Sequence, residues 1–243
     1  MIDLHTHILP GMDDGAADTE TSLSMLRRQG EQGVTVNVLT SHFYRTRERP
    51  ESFLRRREEA FSSLRESISS LPEEERSRLP RLLLGAEVAW APNMNQWEEL
   101  PRLCISGTSN LLLELPFTPW NSQVIYQLYD MPGRTGILPV LAHIERYFSC
   151  QRRELLDEVL SLGLPVQVGT DSLMHPLRRG RVLRLLRDGR ATLVASDTHN
   201  LTSRPPNLGK AMEIVTAKCG EDMALAVQSA AEQILMPPDQ DET

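Results

Sequence analysis

Short apolar runs recur along the chain, separated by segments of helical period. The runs 2–5, 34–40, 82–88, 111–115, 137–142, 165–168 and 192–195 are apolar with little alternation. That is the pattern of parallel strands buried on both faces. Between them, Phe53, Leu54, Phe61, Leu64 and Ile68 fall at spacings of three and four. Leu155, Leu156, Val159 and Leu162 do the same before Gly163, as do Val182, Leu183 and Leu186 before Gly189. A glycine so placed is a helix stop. Two further helices are predicted over 210–218 and 222–235. Residues 71–80 read as a loop, and 238–243 as a solvated tail.

Seven strands alternating with helices predict an α/β fold with a parallel sheet, in one domain over 1–243. The polar residues favour a closed barrel over an open doubly wound sheet, because nearly every predicted strand ends in a group that can bind a metal. The first runs into His5 and His7, the second into His42. The third carries Glu87, the fourth Glu114, the fifth His143, and the seventh ends at Asp197 with His199 just beyond. The sixth breaks the series, with Gln167 in the strand and Asp171 after it. Groups at the carboxyl ends of many strands converge only if the strands surround one axis, as at the C-terminal face of a barrel.

Residues i and i+2 of an extended strand share a face, so His5 and His7 can reach one ion, and Asp197 and His199 repeat the spacing. Glu87 and Glu114 lie inside apolar runs, where a carboxylate costs several kcal/mol unless paired or bound to a cation. Asp13-Asp14-Gly15 reads alone as a turn, but its place after His7 makes Asp14 a further ligand candidate. His175 reads as structural. A histidine and carboxylate set without cysteine suits manganese, iron, zinc or magnesium. More than eight candidates exceed the needs of one ion, so two or three are expected, making a hydroxide at neutral pH and clamping an in-line displacement. Arg146 and Arg204 beside this set match phosphate oxygens.

Composition narrows the field only slightly. The 243 residues carry 33 acidic and 26 basic side chains, a net charge of -7 that argues mildly against a nucleic-acid binder. No run approaches the roughly 18–20 apolar residues of a membrane-spanning helix. The first five residues have neither the basic nor the apolar region of a signal peptide. Cys104, Cys150 and Cys219 are odd in number and scattered, as expected of reduced thiols in the cytoplasm. Six residues after them stand Asn110, Leu156 and Leu225, so the Cys-x5-Arg loop of a thiol phosphatase is missing.

The opening Met1-Ile2-Asp3-Leu4-His5-Thr6-His7-Ile8-Leu9-Pro10-Gly11-Met12-Asp13-Asp14-Gly15 resembles the PHP-type (polymerase and histidinol phosphatase) metallophosphoesterases. Within them it is most similar to the bacterial manganese-dependent protein-tyrosine phosphatases of capsule and exopolysaccharide operons. Thr40-Ser41-His42, Gly85-Ala86-Glu87, Glu114-Leu115-Pro116, Pro139-Val140-Leu141-Ala142-His143-Ile144-Glu145-Arg146-Tyr147, Ala195-Ser196-Asp197-Thr198-His199-Asn200 and Arg204-Pro205-Pro206 carry the same resemblance.

It implies a distorted TIM-like (β/α)7 barrel with three metal ions, held by His5, His7, Asp14, His42, Glu87, Glu114, His143, Asp197 and His199. It implies phosphate binding by Arg146 and Arg204, and phosphotyrosine substrates in the tails of bacterial tyrosine kinases that control polysaccharide export. His42 or His199 could donate the leaving-group proton. Val88-Ala89-Trp90, Phe43-Tyr44-Arg45-Thr46-Arg47 and Gly169 depart from the family pattern around the mouth, where they bear on substrate. The alternatives are a phosphoesterase for a small monoester such as histidinol phosphate, and a non-catalytic regulatory barrel. The arginine-rich face of the 53–68 helix (Arg55, Arg56, Arg57) is read as a contact in a homo-oligomer or as a solvated face.

Overall fold

The structure, a computed structural model, describes residues 1–237, so the expected tail at 238–243 lies outside the described residues. All seven predicted strands form, two of them broken. They are β1 (Ile2–Thr6), β2 (Val36–Leu39) with β3 (His42–Phe43), β4 (Arg81–Leu84) with β5 (Glu87–Ala89), β6 (Asn110–Glu114), β7 (Leu138–Leu141), β8 (Gln167–Gly169) and β9 (Leu193–Ala195). Every pairing is parallel, in the orders β1-β2-β4, β3-β5-β6-β7 and β8-β9. Two isolated parallel bridges, Leu141 to Val166 and Thr6 to Thr198, carry the circuit from β7 to β8 and from β9 back to β1. Seven staves thus follow one another around a distorted barrel.

The breaks have local causes. Gly85 separates β4 from β5, and a Cβ there would lie 3.2 Å from Thr40 Cγ2 and 3.3 Å from Val38 Cγ1. A glycine lets the third stave bend tightly against the second. The Glu87 amide then donates to Thr40 O and Ser41 O at 3.1 and 3.2 Å, restarting the ladder with Glu87 opposite His42.

Helices connect the staves: α1 (Thr19–Glu31), α2 (Pro50–Ser69), α3 (Glu73–Arg76), α4 (Ser122–Thr135), α5 (Arg153–Leu160), α6 (Thr170–Met174), α7 (Pro176–Arg187), α8 (Leu208–Cys219) and α9 (Glu221–Ile234). The loop expected over 71–80 holds the single turn α3. The three arginines of α2 are not one solvated face. Arg56 pairs with Glu48 at 2.6 Å and Arg57 donates to Gly85 O at 2.8 Å, so both tie the helix to the loops beside the barrel mouth.

A small buried cluster gathers Leu4, Val38, Leu112, Val140 and Leu193, from five strands around the circuit, with Ala231 and Ile234 of α9. Side chains from alternating strands fill a barrel in this way. Its seam between β1 and β9 is fixed by Asp3, fully buried, which accepts from the Ser196 amide at 3.0 Å and from Gln29 Nε2 at 2.7 Å. No helix among the described residues is long and apolar enough to cross a membrane.

Candidate metal centre

The site forms where the staves end. On β1 the register slips: Asp3 pairs with Asn37 and Thr6 with Leu39, three steps against two. A bulge of this kind re-aims the side chains that follow it. Leu4 therefore joins the interior cluster while the next residue, His5, reaches the centre. Thr6 turns the other way, donating to Asn37 Oδ1 at 2.6 Å, and His7 returns to the centre. The amides of Asp197 and His7 bond His5 O and Thr198 O, both at 2.9 Å, which locks the ends of the first and seventh staves together.

Three non-glycine residues among those described have positive φ, and two are His143 (φ 30°) and Asp197 (φ 53°). Backbone strain of this type costs on the order of 1–3 kcal/mol and gathers at functional sites. Here it turns both side chains off the ends of β7 and β9 and into the centre.

The nine residues singled out by sequence come together. His5 Nε2 and His7 Nε2 are 3.1 Å apart, and each lies 3.2–3.3 Å from Glu87 Oε2 and Asp197 Oδ1. Asp14, at the exposed mouth, stands 3.5 Å from both His42 and His199. His42 Nδ1 is 2.8 Å from Glu87 Oε2, and His143 Nε2 is 2.8 Å from Glu87 Oε1 and 3.6 Å from Glu114 Oε1. Glu87 alone thus meets four of the histidines, His5, His7, His42 and His143. Three overlapping donor groups result: His7, Asp14, His42 and His199; His5, His7, Glu87 and Asp197; His42, Glu87 and Glu114.

The donors fit divalent ions. Ligand bonds of about 2.0–2.2 Å place neighbouring donors about 2.9–3.6 Å apart, the spacing found in the second group. Glu87 Oε2, Asp197 Oδ1 and His199 Nε2 are buried and make no well-aligned hydrogen bond, facing chiefly the other donor atoms of the centre, as expected of atoms that serve a cation.

Electrostatics agrees. Burial raises the Glu87 and Asp197 pKa values, but His5 and the other histidines outweigh it and hold both carboxyls well below the usual range. Burial opposes protonation of His7, yet Asp13, Asp197 and Glu87 hold its pKa well above that of a free histidine. Metal uptake must therefore displace protons. Burial and the Glu87 charge push Glu114 up to about 7.

Arg146 and Arg204 flank the centre. Arg204 Nη2 donates to Asp197 Oδ2 at 2.5 Å, and Arg146 Nη2 donates to the same oxygen. Asn200 shapes the loop behind Arg204, its Oδ1 accepting from the amides of Thr202, Ser203 and Arg204 at 2.9, 2.8 and 3.1 Å. Asp171 and His175 stay outside. Both are exposed, and His175 caps α7 by accepting from the Leu177 amide at 3.3 Å.

Three contributors escape a search for ligands. Asp13, the neighbour of Asp14, contacts His7 Nδ1 at 2.7 Å, and Gln167 Oε1 faces His5 Nδ1 at 3.0 Å. Such partners fix the orientation of a ligating imidazole. Gln167 was visible as the polar residue of the sixth strand, and Asp13 as half of an acidic pair. Tyr44 OH lies 3.4 Å from His42 Nδ1, with no motif to announce it.

Residues 1–236 match the family described as capsular polysaccharide synthesis, CpsB/CapC. The chain belongs to the CpsB/CapC family. Tyrosine-protein phosphatase CpsB of Streptococcus agalactiae serotype III (strain NEM316) is 30% identical to it over 236 residues, 92% of this chain and 93% of the relative. Tyrosine-protein phosphatase YwqE of Bacillus subtilis (strain 168) is 28% identical over 242 residues, 97% and 91% of the two chains. A crystal structure from work on YwqE of Bacillus subtilis and CpsB of Streptococcus pneumoniae, described as unique metal-dependent tyrosine phosphatases, superposes with a TM-score of 0.80. It shares 26% identity, covering 97% of this CpsB/CapC chain and 94% of its own.

Proposed function

We propose that the chain is a metal-dependent protein-tyrosine phosphatase, with a bacterial tyrosine kinase tail of a capsule or exopolysaccharide system as its substrate. One observation carries the reading: His5, His7, Glu87 and Asp197 place four donor atoms 3.1–3.3 Å apart beside two arginines. His5, His7, Asp14, His42, Glu87, Glu114, His143, Asp197 and His199 would hold two or three ions, manganese first among the candidates. Bound there, the ions supply Lewis acidity and a hydroxide nucleophile at neutral pH.

The protein's part is positioning. Arg146 and Arg204 meet at one oxygen of Asp197; Arg204 Nη1 also stands 4.0 Å from Asp14 Oδ2, and the N–H groups that make no hydrogen bond would hold the non-bridging phosphate oxygens. Fixed donors of this kind act where charge develops in the transition state. His42 stands half-exposed at the mouth, and His199 is the imidazole that burial and His7 hold down at about 3. His42, the less buried of the two, is the better placed to reach a departing phenolate. A phenol's pKa near 10 makes it an undemanding leaving group. The cysteines Cys104, Cys150 and Cys219, all free, support a reducing, cytoplasmic location.

The test is phosphate release from a phosphotyrosyl peptide and from histidinol phosphate in parallel, with manganese-loaded and with chelated protein. Chelator-sensitive turnover of the peptide alone is expected. Turnover of histidinol phosphate alone keeps the metal chemistry and overturns the substrate. No turnover of either by metal-loaded protein overturns the phosphatase reading.

A further inference from the structure

Arg146 has a second side. Away from Asp197 it borders a cavity of about 550 Å³ that it shares with Phe148, Leu177, Arg178 and Arg181. Three arginines around one cavity run against the sign of a chain whose net charge is -7. Arg178 and Arg181 come from α7, whose sequence PLRRGRVLRLLR contains five arginines and no acid.

Other arginines of that helix are engaged: Arg179 donates to Leu173 O at 2.6 Å, and Arg187 to Lys218 O at 2.6 Å. Arg178 and Arg181 make no ion pair and no side-chain hydrogen bond among the described residues, whereas Arg146 contacts Asp197. Arg181 lies over the Phe148 ring, 3.8 Å from its centroid, which fixes one cation at the wall. Glu145 also borders the cavity, but its Oε1 accepts from the Gly169 amide at 2.9 Å and its Oε2 is buried. What is left open is a pair of guanidinium groups without a carboxylate partner beside an apolar floor of Phe148 and Val182, with the exposed Leu177 at the rim.

We propose that this cavity takes the carboxylate side chain of an acidic residue flanking the phosphotyrosine of the substrate, held by Arg178 and Arg181. The proposal rests on the phosphatase reading above, because Arg146 is what joins the cavity to the phosphate position. A glutamate suits it: the stem lies on the apolar floor and the carboxylate reaches the guanidinium groups, which match it in geometry and charge. Selection among phosphotyrosyl sites by acidic context follows.

The experiment uses the full chain loaded with manganese and two fluorescent peptides. Both carry phosphonomethyl-phenylalanine, a mimic of phosphotyrosine that cannot be hydrolysed. One has glutamates on either side, the other glutamines, and Kd is read by anisotropy. Two half-exposed charge pairs should favour the glutamate peptide roughly tenfold. In R178Q/R181Q that preference should fall to about one, while R184Q, which removes a charge from the same helix outside the cavity, should keep it. Equal binding of the two peptides by the native chain overturns the proposal. So does a preference that survives in R178Q/R181Q, or one lost equally in R184Q. Phosphate release from the hydrolysable glutamate peptide is followed alongside. Its absence with the binding preference intact sinks the phosphatase reading and leaves the anion subsite standing.

Discussion

His7 Nδ1 lies 2.7 Å from Asp13 Oδ2, and the same oxygen accepts from the His42 amide at 2.8 Å. One carboxylate therefore sets the tautomer of a histidine on the first stave and the position of a histidine on the second. Asp13 Oδ1 meanwhile accepts from the Gly15 amide at 3.0 Å, which keeps the loop folded over the centre. The acidic pair of the Asp13-Asp14-Gly15 turn divides its work. Asp14 faces solvent and the candidate metal position, and Asp13 faces inward and orients.

Asp13→Ala should accordingly weaken metal binding without removing a ligand. Loss of a carboxylate behind a ligating imidazole costs about 10–100-fold in metal affinity. Calorimetric titration of manganese into chelated protein reads this directly, and turnover at saturating manganese should recover most of its native value. Unchanged affinity would mean that Asp13 only shapes the turn.

Which side chains gather at the centre was legible because spacing and context constrain it. A carboxylate such as Glu87 within an apolar run has few explanations besides an ion, and His5 and His7 share a face by strand geometry. The parts that were not legible depend on backbone detail. The slip on β1 between Asp3 and Thr6 leaves no mark in the apolar pattern, although it lets Leu4 and His5 both turn inward. The break at Gly85 follows from its closeness to Val38 and Thr40, a fact of packing. The helices α1 and α4 were not singled out because their buried positions are partly polar: Ser22 and Gln29 in one, Gln127 in the other. Their caps, Asp18 and Asn121, were the readable signals. The Arg55-Arg56-Arg57 run looked like one charged face because sequence does not reveal that Gly85 O stands within reach of Arg57.

Arg146 and Arg204 share Asp197 Oδ2, so losing one leaves the other to balance that carboxylate. Arg146→Ala and Arg204→Ala should each reduce kcat/KM for an aryl phosphate by about 10²–10³, the scale of losing one fixed donor to a developing charge. Metal content by elemental analysis should stay at the native level, which separates loss of phosphate binding from loss of the centre. Lysine replacements should restore little, since an ammonium cannot bridge two oxygens as a guanidinium does. Activity surviving intact in either alanine variant would remove that arginine from the phosphate site.

Gly15 packs against the end of β1 with no room to spare. A Cβ at this position would lie 2.1 Å from His7 O and 2.5 Å from His7 Cβ. Both atoms belong to His7, so neither can give way without moving that residue. Gly15→Ala should therefore lower stability by about 2 kcal/mol or more, as other overpacked sites do, and metal affinity should fall with it. Urea unfolding of the chelated protein measures the first and manganese titration the second. A variant with native stability would show that the loop can shift freely.

Glu145 links the pH dependence of stability to the wall behind the centre. Burial raises its pKa from about 4.5 to about 7, against the opposing bond from the Gly169 amide. The unfolded chain ionises Glu145 first, so between these values the folded state holds the extra proton. Its contribution to stability is complete below about pH 4.5 and is lost as pH rises through 7. Glu145→Gln removes that loss. The amide oxygen can still accept from Gly169, while the buried amide nitrogen adds a penalty that does not vary with pH. Stability of the chelated variant relative to the native chain should therefore climb by on the order of 2 kcal/mol from pH 5 to pH 8.5. Urea midpoints at several pH values give the comparison. Two parallel curves would place the ionised carboxylate in contact with water and deny that burial governs it.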